Sequence, residues 1–190
     1  MFNLFNSQQP APKSAEEAVR RANAILQQAG FATEPVSLNT PASGADGFSG
    51  ARIRMDLPEE ALGALVHATL VEAAAEQGVS VTHTSLQLHP ARPEGVGIRL
   101  QVTAKAFVSS VEVGIRGRVT VSRCGIVEFD SLLMDPGAGM FAGMATAAIK
   151  PKLDHLQSEK FELEKIFGRK VTVLQFEFKS SQVQFEVEFA

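Results

Sequence analysis

Residues 135–149 run Asp135-Pro136-Gly137-Ala138-Gly139-Met140-Phe141-Ala142-Gly143-Met144-Ala145-Thr146-Ala147-Ala148-Ile149, and nothing after Asp135 is charged. Asp135 suits a helix cap and Pro136 the first helical position. Charge returns at Lys150-Pro151-Lys152, while apolar spacing continues through Leu153 and Leu156. A helix that is apolar on every side must be covered on every side. Downstream, Val171 to Lys179 and Gln182 to Phe189 predict a hairpin, its second strand alternating Val183, Phe185, Val187 and Phe189. A buried helix feeding into such strands suggests a sheet that wraps around it.

Upstream of that helix the period is two. Val79 and Val81 alternate and the phase then slips to Leu86 and Leu88, which predicts a bulge near Thr84-Ser85. After a turn at His89 to Gly95, Val96, Ile98, Leu100, Val102, Ala104, Ala106 and Val108 alternate with Arg99, Gln101, Thr103 and Lys105. Val111, Val113, Ile115, Val119 and Val121 do the same opposite Glu112, Arg116, Arg118 and Thr120, and a third strand runs from about Ile126 to Met134. Long strands with one dry and one wet face are those of an antiparallel sheet.

The N-terminal third supplies helices. Ser14-Ala15-Glu16-Glu17 reads as a capping box. Ala15, Ala18, Val19, Ala22, Leu26 and Ala29 follow at helical spacing until Gly30, giving a helix with one apolar face. A strand is expected from Phe48 to Met55, then an N-cap at Asp56 and a largely buried helix carrying Leu62, Leu65, Val66 and Leu70, ended by Gly78. Ahead of all this, Phe2, Leu4 and Phe5 precede a linker-like Ser7 to Pro12. The expected organisation is therefore a tail over 1–13 and one α+β domain over 14–190: a long curved antiparallel sheet wrapped around a buried apolar helix, with additional N-terminal helices.

Composition narrows the partners. A hydrophobic fraction of 45% with 21% charged residues is that of a soluble globular chain. The net charge of −3 argues against a nucleic-acid binder of the electrostatic kind. Cys124 is the one cysteine, so no internal disulfide forms, and it is expected as a small buried or half-buried residue of a strand. Met1 to Asn6 lacks a basic segment followed by a long apolar one, and Pro136 to Ile149 is too short to span a bilayer. A cytoplasmic location is the expectation.

No motif carries a reaction. His67, His83, His89 and His155 share no ligand-like spacing, so no metal site is expected. Glu16-Glu17 and Glu59-Glu60 each fall in a helix's first turn, where the dipole favours acids. Ser109-Ser110 and Ser180-Ser181 are read as turns, and no serine has a GxSxG setting. Gly139 and Gly143 allow close backbone packing, with adaptable Met140, Phe141 and Met144 beside them. Arg99, Arg116 and Arg118 read as exposed sheet charge, with an anionic head group as the sharper alternative.

Leu57-Pro58-Glu59-Glu60-Ala61-Leu62 after a strand, the long alternating strands, the apolar helix, then Phe161, Leu163, Ile166, Phe167 and Gly168 leading into Val171-Thr172-Val173 and a terminal hairpin, together resemble bacterial members of the tubular lipid-binding (TULIP) superfamily. The resemblance covers about Phe48 to Ala190 and rests on polarity pattern. It implies a long helix cradled by a strongly curved sheet, with an apolar groove between them that takes acyl chains.

The reading that follows is a non-enzymatic lipid or apolar-ligand binding protein without cofactor. Its groove is expected to be lined by Met140, Phe141, Met144 and Ile149, faced by Leu100, Val102, Val113 and Ile115. Its partner is a lipid or another apolar small molecule, not a nucleic acid. No transmembrane segment is expected, and membrane contact would be peripheral. The alternative is a structural or protein-interaction module with a filled core, in one form a homodimer through an exposed strand edge.

Overall fold

The computed structural model describes residues 11–28, 30–75, 80–91, 95–106, 109–135, 150–151 and 153–190. The charge-free stretch from Pro136 to Ile149, the Phe2-Leu4-Phe5 tip and the expected stop at Gly78 lie outside them. The order is α1 (Ala15–Gln28), β1 (Val36–Thr40), β2 (Arg52–Pro58), α2 (Glu59–Ala75), β3 (Ser80–Pro90), β4 (Val96–Ala106), β5 (Ser109–Val121), β6 (Ile126–Asp135), β7 (Lys160–Glu162), α3 (Leu163–Phe167), β8 (Val171–Lys179) and β9 (Gln182–Phe189). Residues 150–151 and 153–158 are helical as well. The class is α+β, as its sequence predicts.

The strands divide into two sheets where the alternation suggested one. Their orders are β1-β2-β9-β8 and β3-β4-β5-β6-β7. The terminal hairpin pairs with strands near the N-terminus instead of extending the central meander, a long-range choice that local periodicity does not encode. By compactness the chain forms two units. One holds residues up to Leu57, Val121–Val127 and Lys160–Ala190; the other holds Pro58–Thr120 and Glu128–Glu159.

In the first unit, α1 starts as the capping residues require. Ser14 Oγ accepts the Glu17 N–H at 3.3 Å, and Glu17 Oε2 accepts the Lys13 N–H at 2.8 Å, one residue ahead of the usual reciprocal bond. The helix lays Ala15 and Ala18 into a core with Val36, Phe48, Ala51 and Ile53. From β9, Phe185, Val187 and Phe189 are buried against it in strict alternation. Each buried Phe or Val side chain contributes about 1.5–3 kcal/mol from the water it leaves. Phe48, Phe167 and Phe189 meet edge to face, with centroids 5.1 and 5.8 Å from Phe189. Gly168 ends α3 at φ 68, a left-handed C-cap whose N–H returns to Glu164 O at 2.8 Å.

Three local expectations fail here or are displaced. Asp56 is no helix cap: β2 runs on to Pro58, the Asp56 N–H donates to Pro35 O at 2.9 Å, and its carboxylate accepts from Arg54. Cys124 is exposed, because β5 ends at Val121 and the cysteine falls in the Ser122–Gly125 turn. That turn binds into the unit through its backbone, with Gly125 O accepting from Leu163 and Arg123 O from Val173. Ser180 and Ser181 do form the β8–β9 turn, whereas Ser109 and Ser110 open β5.

In the second unit, β3, β4 and β5 form a continuous antiparallel ladder. The bulge falls between Val81 and His83, not at Thr84-Ser85, and Thr82 there donates its hydroxyl to Thr103 O at 3.1 Å. Helix α2 seats on β3. Glu59 Oε1 accepts the Leu88 N–H at 3.3 Å, a β-carbon at Gly63 would lie 3.7 Å from Leu86 Cβ, and His67 Nδ1 is 3.0 Å from Thr84 Oγ1. Four helical residues rise about 6 Å and two strand residues about 6.8 Å, so 59, 63 and 67 track 88, 86 and 84. The helix was expected to be largely buried. Instead every described side chain on it is half-buried or exposed, and Val71 is 39% exposed. The sequence of α2 carries apolar residues around its whole circumference, and Glu59, Gly63 and His67 are set on β3.

Candidate functional site

The ladder register brings four of the eight expected groove residues together. Leu100 stands directly opposite Ile115, and Val102 opposite Val113. On the other side of β4, Leu86 is opposite Leu100 and Thr84 opposite Val102. Alternation then places Leu86, Leu100, Ile115, Val102 and Val113 on one face, with Ile98 opposite Leu88 in the next row. Val113 is buried, while Leu100, Val102 and Ile115 are half-buried. The other four, Met140, Phe141, Met144 and Ile149, lie outside the described residues.

Chemically this face can do one thing: remove apolar surface from water. Directly opposed side chains about 4.5–5.5 Å apart make a continuous band two rows deep. The polar atoms at its β3 margin are the Thr84 hydroxyl and the His67 imidazole, already bonded to each other.

The opposite face of the same strands is ionic. Arg99 is opposite Arg116, Gly97 opposite Arg118, and Gln101 opposite Gly114. Arg118 is paired with Asp130, whose carboxyl is held below the usual aspartate range first by that arginine and then by the Ser131 hydroxyl. Arg118 therefore does not stand as an open charge for a head group. His89 packs over Gly97, where a β-carbon would collide with its ring.

The remaining titratable groups are dispersed. His83 is exposed on β3, and His155 lies 3.2 Å from Glu159. Among the described residues no three of His, Cys, Asp and Glu gather as metal ligands. Asp46 organises the loop before β2: it accepts the Phe48 and Ser49 N–H groups at 3.1 and 3.0 Å, and these bonds lower its carboxyl. Arg169 lies 3.7 Å from that carboxylate and 4.6 Å from the Phe48 ring centroid, which ties the loop to the core. Glu16 is likewise lowered, mainly by its own backbone N–H and then by Ser14.

Sequence reasoning passed over Asn23, the buried polar residue of α1. Its signal was available. Asn23 is four residues after Val19 and three before Leu26, on the apolar stripe, where a polar side chain implies a buried partner.

Compared with known proteins, the chain matches no family model, no curated protein and no solved structure. Among the described residues, no helix is long and apolar enough to cross a membrane. The site therefore defines a class only, an α+β protein with an apolar sheet face.

Proposed function

We propose that this chain binds a lipid or another apolar small molecule, without enzymatic chemistry, on the apolar face of β4 and β5, beside α2 where that helix covers β3. The observation that carries the reading is the pairing of Leu100 with Ile115 and Val102 with Val113, on a face where three of these four side chains stay half-buried. In this reading the charge-free segment supplies Met140, Phe141, Met144 and Ile149 as the other wall, in the manner of a helix cradled by a curved tubular lipid-binding sheet. Binding is driven by burial of acyl surface, about 0.8 kcal/mol per CH₂.

A fluorescent fatty acid titrated into the native protein and into Val102→Asp tests it. Saturable uptake that the variant loses supports the groove; no uptake by the native protein sinks it. The second reading, an interaction module, is favoured by α2, whose described apolar side chains are not fully buried. A concentration-dependent dimer that excludes the dye would select it.

A further inference from the structure

Arg99 and Arg116 are directly opposed on β4 and β5, and both are exposed. Like charges placed directly opposite each other destabilise a sheet pair. Among the described residues neither arginine has an ion-pair partner, whereas Arg118 in the adjoining row has Asp130. Acids share this face without pairing with either arginine: Glu112 is opposite Thr103, two rows from Arg116, and Asp135 packs against Gly114 in the adjoining row. Gln87 and Gln101 flank Arg99 on the same face, each an amide donor.

We propose that Arg99 and Arg116 form an oxyanion site for a phosphate group. Two planar guanidinium forks with Cβ atoms about 4.5–5.5 Å apart can each offer paired N–H donors to one tetrahedral anion. A bound anion would also relieve the repulsion that the register imposes. The proposal goes beyond the apolar-ligand reading, because strand alternation puts these arginines on the face opposite Leu100 and Ile115. The phosphate can come from a soluble phosphorylated compound or from an anionic lipid at a bilayer surface.

Thermal unfolding of the full chain in inorganic phosphate, at ionic strength held constant with chloride, tests the shared chemistry. Sedimentation with phosphatidylcholine vesicles, with and without phosphatidylglycerol, separates the two sources. Phosphate is expected to raise the melting temperature of the native protein, with the apparent affinity falling about tenfold or more in R99Q/R116Q. In chloride alone the double variant should melt at or above the native temperature, an effect that a folding defect cannot produce. Should it not fold, Arg116→Gln alone is read the same way. Sedimentation with phosphatidylglycerol vesicles that the variant loses assigns a lipid surface; a phosphate response without sedimentation assigns a soluble compound. No response in either arm, or responses equal in native and variant protein, overturns the site.

Discussion

Asn23 serves both backbone groups of Val36. Its Nδ2 donates to Val36 O at 2.8 Å, and its Oδ1 accepts the Val36 N–H at 2.9 Å. Val36 opens β1, an outer strand of its sheet, so the side-chain amide of α1 stands in for a strand neighbour. Replacing it by Ala leaves a buried donor and a buried acceptor unpaired, at roughly 1–3 kcal/mol each when unrelieved. Asn23→Ala is expected to lower stability by about 2–4 kcal/mol in urea unfolding; a loss under about 0.5 kcal/mol would show that the pair is replaced by water.

Phe189 holds the aromatic cluster of the first unit. It meets Phe48 and Phe167 edge to face and is 2% exposed. Phe189→Ala should cost about 3–5 kcal/mol, and Phe189→Leu clearly less, because the cavity shrinks with the volume removed.

The β8–β9 turn can be improved. Ser180 and Ser181 adopt φ 52 and 60, the pair of left-handed conformations that two-residue hairpins assign to Asn-Gly. S180N/S181G should stabilise by about 1 kcal/mol, seen as a melting temperature higher by a few degrees. An unchanged or lower value would mean the serine side chains contribute contacts of their own.

Acid should weaken the molecule through Asp46 and Asp130. Both carboxyls are held below their ordinary value in the folded chain: Asp46 first by the Ser49 and Phe48 N–H groups, Asp130 first by Arg118. A depressed folded pKa gives stability that is present above the unfolded value, near 3.9, and is lost as pH falls through the lower folded value. Unfolding followed from pH 6 down to 2 should therefore steepen below about pH 4. Asp46→Asn should flatten its share of that slope, and an unchanged slope would remove Asp46 from the account.

How much of this was legible in the chain follows the range of each interaction. Val183, Phe185, Val187 and Phe189 are read correctly because alternation is a property of neighbours, and the hairpin ends fall where its sequence places them. The opposition of Leu100 to Ile115 follows once β4 meets β5 with Ala106 opposite Ser109, and the same register creates the Arg99–Arg116 pair that residue pattern alone cannot announce. Two sheets instead of one was not legible, since it depends on β9 lying beside β2 across more than a hundred residues. Cys124 was misjudged for a local reason: apolar alternation up to Val121 looks as though it continues, and only the Ser122–Gly125 turn stops it.

Native mass spectrometry of the full chain, with organic extraction of what co-purifies, tests the apolar-ligand reading most directly. The account predicts a fatty acid or phospholipid in stoichiometric amount, displaced in Val102→Asp and in Met144→Arg. A ligand-free mass together with no uptake of a fluorescent fatty acid would contradict it, and a ligand-free dimer in the same spectrum would point to the interaction module instead.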